Sequence, residues 1–162
     1  MITVGNKLKF VIWNCNSLNR NRVNALNVYM RESDSDVIML TEVKQTVIAG
    51  LNRSRSYILK AREVERGGGI ALVIRKRWRV KRREELEGGR EVEVLWVEVE
   101  DEGLLIGVVY RRPGLTKSDS KKVEIAIREG VSAGMNEGLR VVVAGDFNAH
   151  NKEWDTNATQ DE

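Results

Sequence analysis

Three short apolar runs break off sharply into amides or carboxylates, and this pattern constrains the fold more than any other feature. Leu8-Lys9-Phe10-Val11-Ile12-Trp13 runs into Asn14-Cys15-Asn16. Val37-Ile38-Met39-Leu40 runs into Thr41-Glu42, and Val141-Val142-Val143-Ala144 into Gly145-Asp146-Phe147-Asn148. Brief apolar runs bounded by polar residues predict buried strands. Strand ends converge in a layered α/β fold, and ligands gather where they do.

The remaining patterns supply the other layers. From Asn19 onward, the apolar residues Val23, Leu26, Val28, Tyr29 and Met30 predict a helix, stopped by Ser33-Asp34-Ser35. A weaker strand is expected over 56–61, and the turn Gly67-Gly68-Gly69 precedes another over 70–74. Those glycines lack the spacing of a nucleotide-binding loop. Residues 92–99 partly alternate, as a half-buried strand does. Asp101-Glu102-Gly103 turns that strand back into a partner over 104–110. A helix is expected over 117–135, with Val123, Ile125, Ala126, Ile127 and Val131 as its apolar positions. Strands with turns, flanked by helices, predict a layered α/β domain over 1–150. Residues 151–162 are polar apart from Trp154 and are expected to be a frayed or truncated tail.

Composition excludes several classes. No apolar run approaches the ~20 residues of a membrane span. The start of the chain lacks the apolar core and cleavage site of a secretory signal. Cys15 is the only cysteine, which rules out an internal disulfide and suits a reducing, intracellular compartment. The formal net charge is only +3, but the basic residues are clustered: Arg75, Lys76, Arg77, Arg79, Lys81, Arg82 and Arg83 flank Trp78. One reading is phosphate contact with a polyanion, led by Arg75, Arg77 and Arg79, with Trp78 stacking on a base. The other is a charged sheet edge protected against aggregation.

The polar strand ends combine one glutamate, one aspartate and several carboxamides, with no cysteine–histidine set for zinc. All-oxygen donors of this kind suit a hard cation such as magnesium, held by one or two carboxylates and water. The alternative is ordinary capping of strand ends. Cys15, between two of these residues, has no adjacent base and is expected to pack as a small hydrophobe.

Five segments together carry a resemblance: Trp13-Asn14-Cys15-Asn16-Ser17-Leu18, Leu40-Thr41-Glu42-Val43-Lys44, Gly67-Gly68-Gly69-Ile70-Ala71, Val109-Tyr110-Arg111-Arg112-Pro113 and Gly145-Asp146-Phe147-Asn148-Ala149-His150. In order and spacing the set resembles the endonuclease/exonuclease/phosphatase (DNase I-like) family, and within it the endonuclease domain of non-LTR retrotransposons. The resemblance implies a four-layer α/β-β/α sandwich, here incomplete, with the second sheet largely missing. It implies a magnesium-dependent endonuclease, with manganese as a substitute ion, that nicks DNA within a longer polyprotein carrying a reverse transcriptase. Such an enzyme works without a membrane partner, in the nucleus when it acts on DNA. Glu42 matches the principal metal ligand and Asn16 a neighbour that organises the metal's water. Asn14 matches the asparagine that orients the catalytic aspartate, and Tyr110 the tyrosine that contacts the scissile phosphate. Asp146 matches the aspartate that aligns or deprotonates the attacking water, and Asn148 the asparagine that stabilises the phosphate in flight.

Departures from the family pattern leave two further readings open. The family's catalytic histidine belongs to a Ser-Asp-His motif, and no such motif occurs in this sequence. The sole histidine, His150, matches a different position and is expected to be structural or exposed. The chain is therefore expected to be a piece with impaired activity, exposing apolar surface along its last strand. The competing readings are a same-fold phosphatase or phosphodiesterase on a small substrate, and an inactive fragment that only binds nucleic acid.

Overall fold

The computed structural model describes residues 2–4, 8–44, 57–62, 68–89 and 91–148. Nine strands and two helices follow in chain order among them. They are β1 (Ile2–Val4), β2 (Leu8–Asn14), α1 (Arg20–Glu32), β3 (Val37–Thr41), β4 (Tyr57–Arg62) and β5 (Ile70–Arg75). Then come β6 (Val80–Arg82), β7 (Val94–Val99), β8 (Leu104–Tyr110), α2 (Lys117–Asn136) and β9 (Arg140–Asp146). The first five strands form one sheet in the order β1-β2-β3-β5-β4, and the other four a second in the order β6-β7-β8-β9.

The layers follow from which face of each strand is apolar. Phe10, Val37, Met39 and Leu72 of the first sheet meet Leu95, Val97, Ile106 and Val108 of the second in the central core. On the outer face of the first sheet, Ile38, Leu40 and Val73 pack on Val23, Leu26 and Met30 of α1. Those helix positions are spaced to form one stripe. On the outer face of the second sheet, Val94, Trp96 and Val109 pack on Val123 and Ala126 of α2. The result is the expected four-layer sandwich, helix on sheet on sheet on helix. The expectation of a largely missing second sheet needs correction: four strands pair there, and every residue of β8 is buried. One member is β6, a three-residue strand inside the basic run, where a run of positive charges leaves no hydrophobicity pattern to mark it.

Local chemistry sets the helix ends. The Asn19 side chain accepts from the Arg22 N–H at 3.0 Å to start α1. Thr116 does the same for Asp119 at 3.0 Å in α2, where Asp119 also suits the positive end of the helix dipole. Among the described residues β9 borders the second sheet, and its run from Val141 to Ala144 is half-buried rather than enclosed. No described helix is long and apolar enough to cross a membrane. Gly67, Ala149, His150 and the tail over 151–162 lie outside the described residues.

Two pairs of strands are parallel, β2 with β3 and β8 with β9. Their registers end level: Asn14 lies opposite Thr41, and Tyr110 opposite Asp146. The C-terminal ends of four strands, two from each sheet, therefore finish at one edge of the sandwich.

Candidate active site

Asn14 is the hub of that edge. Its amide nitrogen donates to Glu42 Oε1 at 2.9 Å and to Asp146 Oδ2 at 2.8 Å. One side chain thus ties a carboxylate of the first sheet to a carboxylate of the second. The other Asp146 oxygen accepts from the Asn148 backbone N–H at 3.2 Å, so both oxygens of the group are oriented. The Asn14 side-chain oxygen, Oδ1, accepts from the Asn16 N–H at 3.0 Å.

Tyr110 closes the cluster from β8. Its hydroxyl faces the Glu42 carboxylate, and its ring is buried. Burial, with the Glu42 charge behind it, pushes the phenol up to about 12, so the hydroxyl is a proton donor at neutral pH. Glu42 sits just past the end of β3 in a left-handed conformation, φ 54°, as do Asn16 at 36° and Asn148 at 41°. Non-glycine residues adopt this region sparingly, and such outliers concentrate at functional sites. Gly145, at φ 149°, is required for a different reason. A Cβ there would lie 1.9 Å from the Val109 carbonyl oxygen, so β9 approaches β8 this closely only with glycine.

Basic side chains ring the acids. Lys44 Nζ lies 3.8 Å from Glu42 Oε2 and 3.2 Å from Asn16 Oδ1. The Arg22 guanidinium holds the Ser17 carbonyl at 2.9 Å and also the Asn16 carbonyl. The Arg111 guanidinium donates to the Asn148 carbonyl at 2.9 Å, and Asn148 Nδ2 returns a bond to the Arg111 carbonyl at 2.9 Å. Arg22 and Arg111 were not among the expected site residues. Their partners at the site are main-chain carbonyls, which no side-chain pattern marks, and Arg111 also donates to the Ser120 hydroxyl at 3.0 Å.

The structure therefore brings Asn14, Asn16, Glu42, Tyr110, Asp146 and Asn148 to one edge. It does not bring Arg75, Arg77 and Arg79 there. Arg75 lies opposite Tyr57 at the far end of β5, and Ile74 beside it pairs with Val37, the first residue of β3. Arg75 donates to the Ser35 carbonyl at 2.8 Å, Arg77 pairs with buried Asp36, and Arg79 binds Asp101 at 2.7 Å. Trp78 is committed as well: its indole N–H donates to Asp36 at 3.1 Å and the Arg77 guanidinium lies 5.1 Å over its ring. β6 borders the second sheet, as the edge reading has it. Cys15 is buried and donates its thiol hydrogen to the Thr41 carbonyl at 3.0 Å, and burial pushes it up to about 11. It is a packed thiol rather than a nucleophile.

The donor set fits a hard divalent cation. Glu42 and Asp146 offer carboxylate oxygens, and the neighbouring polar groups are amides and a phenol. Among the described residues no three His, Cys, Asp or Glu side chains cluster as a soft or fully protein-built site would require. One or two carboxylates completed by water is the magnesium pattern.

Residues 11–162 match the model of the endonuclease/exonuclease/phosphatase family. The chain belongs to that family. Among solved structures, it is similar to a 3'-5' exonuclease from Neisseria meningitidis, with TM-score 0.66 and 24% identity over 87% of this chain and 58% of that one. It is also similar to D. rerio TDP2 complexed with a single-strand DNA product, with TM-score 0.62 and 18% identity over 93% and 64% of the two chains. An AP endonuclease from Archaeoglobus fulgidus gives TM-score 0.58 and 18% identity over 88% and 58%. This chain thus spans 58–64% of the length of these relatives, and the likeness shows the shared fold. No curated protein matches the chain.

Proposed function

We propose that this chain is part of a divalent-metal-dependent phosphodiester hydrolase that nicks DNA, of the kind found as the endonuclease domain of non-LTR retrotransposons. The observation that carries the reading is the single Asn14 amide bonded to both Glu42 and Asp146. Two acids kept so close in an anion-cleaving family call for a cation between or beside them. Glu42, with Asp146 at its side, would hold magnesium or manganese, which when bound neutralises the charge that builds on the phosphate oxygens.

The side chains have separable tasks. Asp146, fixed at both oxygens, presents a carboxylate to take the proton of an attacking water. Tyr110 remains protonated at neutral pH and offers its hydroxyl to a phosphate oxygen. Asn148 spends one amide hydrogen on the Arg111 carbonyl and keeps the second for the phosphate. Asn16 accepts from Lys44 and keeps its amide hydrogens for ordered water. Lys44 and Arg22 supply positive charge at the mouth. DNA as the substrate is supported by the TDP2 relative, solved with a single-strand DNA product, and by the retrotransposon-like Asn148-Ala149-His150 and Trp154 segment. Placement beside a reverse transcriptase, and action in the nucleus, rest on that same segment. Arg75, Arg77 and Arg79 remain candidates for more distant DNA contact.

The test uses supercoiled plasmid with magnesium, applied to this chain and to a form extended by the downstream coding sequence. Nicking by the extended form that disappears in Glu42→Ala and Asp146→Asn supports the reading. Turnover of a small phosphate ester without nicking by either form would establish the phosphatase alternative. Salt-sensitive DNA retention without cleavage by either form would leave only a binding fragment.

A further inference from the structure

Glu93 is a buried carboxylate that the site as described does not use. It lies just before β7 and is 2% exposed. One oxygen accepts from the Gly69 N–H at 2.6 Å, and the other pairs with the Arg112 guanidinium at 2.5 Å. The main-chain carbonyl of Glu93 accepts from the Tyr110 N–H at 2.9 Å. One residue of the second sheet is therefore bonded both to the strand that carries Tyr110 and to the glycine turn of the first sheet.

That turn holds the segment bearing Glu42. The Gly69 carbonyl accepts from the Val43 N–H at 3.0 Å and the Gly68 carbonyl from the Lys44 N–H at 2.8 Å. Glu42, between these anchors and β3, and Lys44, at the second anchor, adopt positive φ, at 54° and 44°. Such conformations persist only where the surroundings over-determine them. The fit of the turn against Glu93 is close: a Cβ on Gly68 would lie 2.4 Å from both Glu93 carboxylate oxygens, and Gly68 also has φ 71°. A side chain at position 68 and a carboxylate at position 93 exclude one another. A buried charge with this many bonds costs desolvation that an apolar residue would avoid.

We propose that Glu93, clamped by Arg112 and seated on Gly68-Gly69, is a positioning residue that braces the two sheets and fixes Glu42 against Tyr110. It touches neither substrate nor metal. It acts through the hydrogen bonds that the turn makes to Val43 and Lys44. The consequence for metal binding and cleavage rests on the function proposed above, whereas the brace itself does not.

Two measurements on the chain separate those claims. Hydrogen exchange of the Val43 and Lys44 amides reads the brace directly. Glu93→Gln keeps an acceptor for Gly69 but loses the ion pair, and Glu93→Ala loses both. Exchange at these two amides should accelerate about tenfold in the glutamine variant, and further in the alanine variant, beyond any global loss of stability. Glu98→Gln serves as the reference, since it removes a partner of Arg83 toward the other end of β7. Manganese titration followed by electron paramagnetic resonance reads the consequence: affinity should fall roughly tenfold in Glu93→Gln with no ligand removed. Unchanged exchange at Val43 and Lys44 in the glutamine variant overturns the brace, whether or not the alanine variant folds. Accelerated exchange with manganese affinity unchanged overturns the link to Glu42. If wild type and Glu42→Ala bind manganese equally poorly, the metal reading fails, and the exchange result still decides the brace.

Discussion

Replacing Asn14 by aspartate should be more damaging than replacing it by alanine, and the difference should depend on pH. In the structure one amide nitrogen stands 2.9 Å from a Glu42 oxygen and 2.8 Å from an Asp146 oxygen. Alanine deletes both hydrogen bonds, each worth about 1 kcal/mol net, so a loss of about 1–2 kcal/mol is expected. Aspartate deletes them and adds a third negative charge. Unit charges ~5 Å apart at an effective dielectric of ~20 repel by roughly 3 kcal/mol. Asn14 is open to solvent, which reduces this to about 1 kcal/mol per neighbour, or about 2 kcal/mol beyond the alanine variant. The new carboxyl would have a folded-state pKa raised above its unfolded value of about 3.9 by the two adjacent acids. A raised pKa contributes stability below the unfolded value and loses it as pH rises through the folded one. The gap between the two variants should therefore be open near pH 8 and closing by about pH 4. Urea unfolding followed by tryptophan fluorescence at both pH values reads it directly. Equal stability of the two variants at the higher pH would mean that Glu42 and Asp146 do not converge on residue 14, and the site as described would be wrong.

Two other perturbations follow from packing and burial. A Cβ on Gly130 of α2 would lie 2.2 Å from the Trp96 ring, so Gly130→Ala should cost ~1–3 kcal/mol by overpacking, measured by thermal unfolding. Trp96→Leu should relieve that strain, giving a double variant less destabilised than the two single changes combined. The Cys15 thiol, raised from 9.0 to about 11 by burial, should resist alkylation at neutral pH until the chain unfolds. The unfolded thiol ionises first, so the stability it contributes is present below pH 9.0 and disappears as pH rises through about 11. Cys15→Ala should flatten that part of the alkaline stability profile, and an unchanged profile would show that the thiol is not buried as described.

Much of this arrangement was legible because the strands that build the site are mostly apolar in sequence, although only β3 and β8 are buried throughout. The runs ending at Asn14, Glu42 and Asp146 stand out by apolarity alone, and their polar ends fall at the sheet edge as the strand-end argument requires. What escaped is polar structure made across the fold. Glu93 looks like one of several surface acids in Glu91-Val92-Glu93-Val94, yet its partners are 24 and 19 residues away in sequence. Strand parity held the missing signal. Glu93 shares its face with Leu95, Val97 and Val99, which all enter the central core. An acid on the core parity of a strand must be buried and paired, and the partners found are the Gly69 N–H and the Arg112 guanidinium. β6 was reached only as one of two readings of the basic run, because three residues of mostly charged sequence carry no period to detect.

The level ending of the two parallel pairs has a consequence for how activity and stability are coupled. Asn14 and Glu42 come from the first sheet, Tyr110 and Asp146 from the second, and neither sheet alone assembles a donor set. Their meeting depends on the central core, where Met39 and Leu72 face Ile106 and Val108. A cavity there permits the sheets to shift, and a 1 Å displacement at the strand ends separates groups whose hydrogen bonds are 2.8 and 2.9 Å long. By contrast, the Arg83 cluster with Glu85, Glu98 and Glu137 ties β7 and α2 on one side of the second sheet alone. Breaking it destabilises the fold without a lever on Glu42. Core residues between the sheets are thus part of the site's geometry, although none of them touches it.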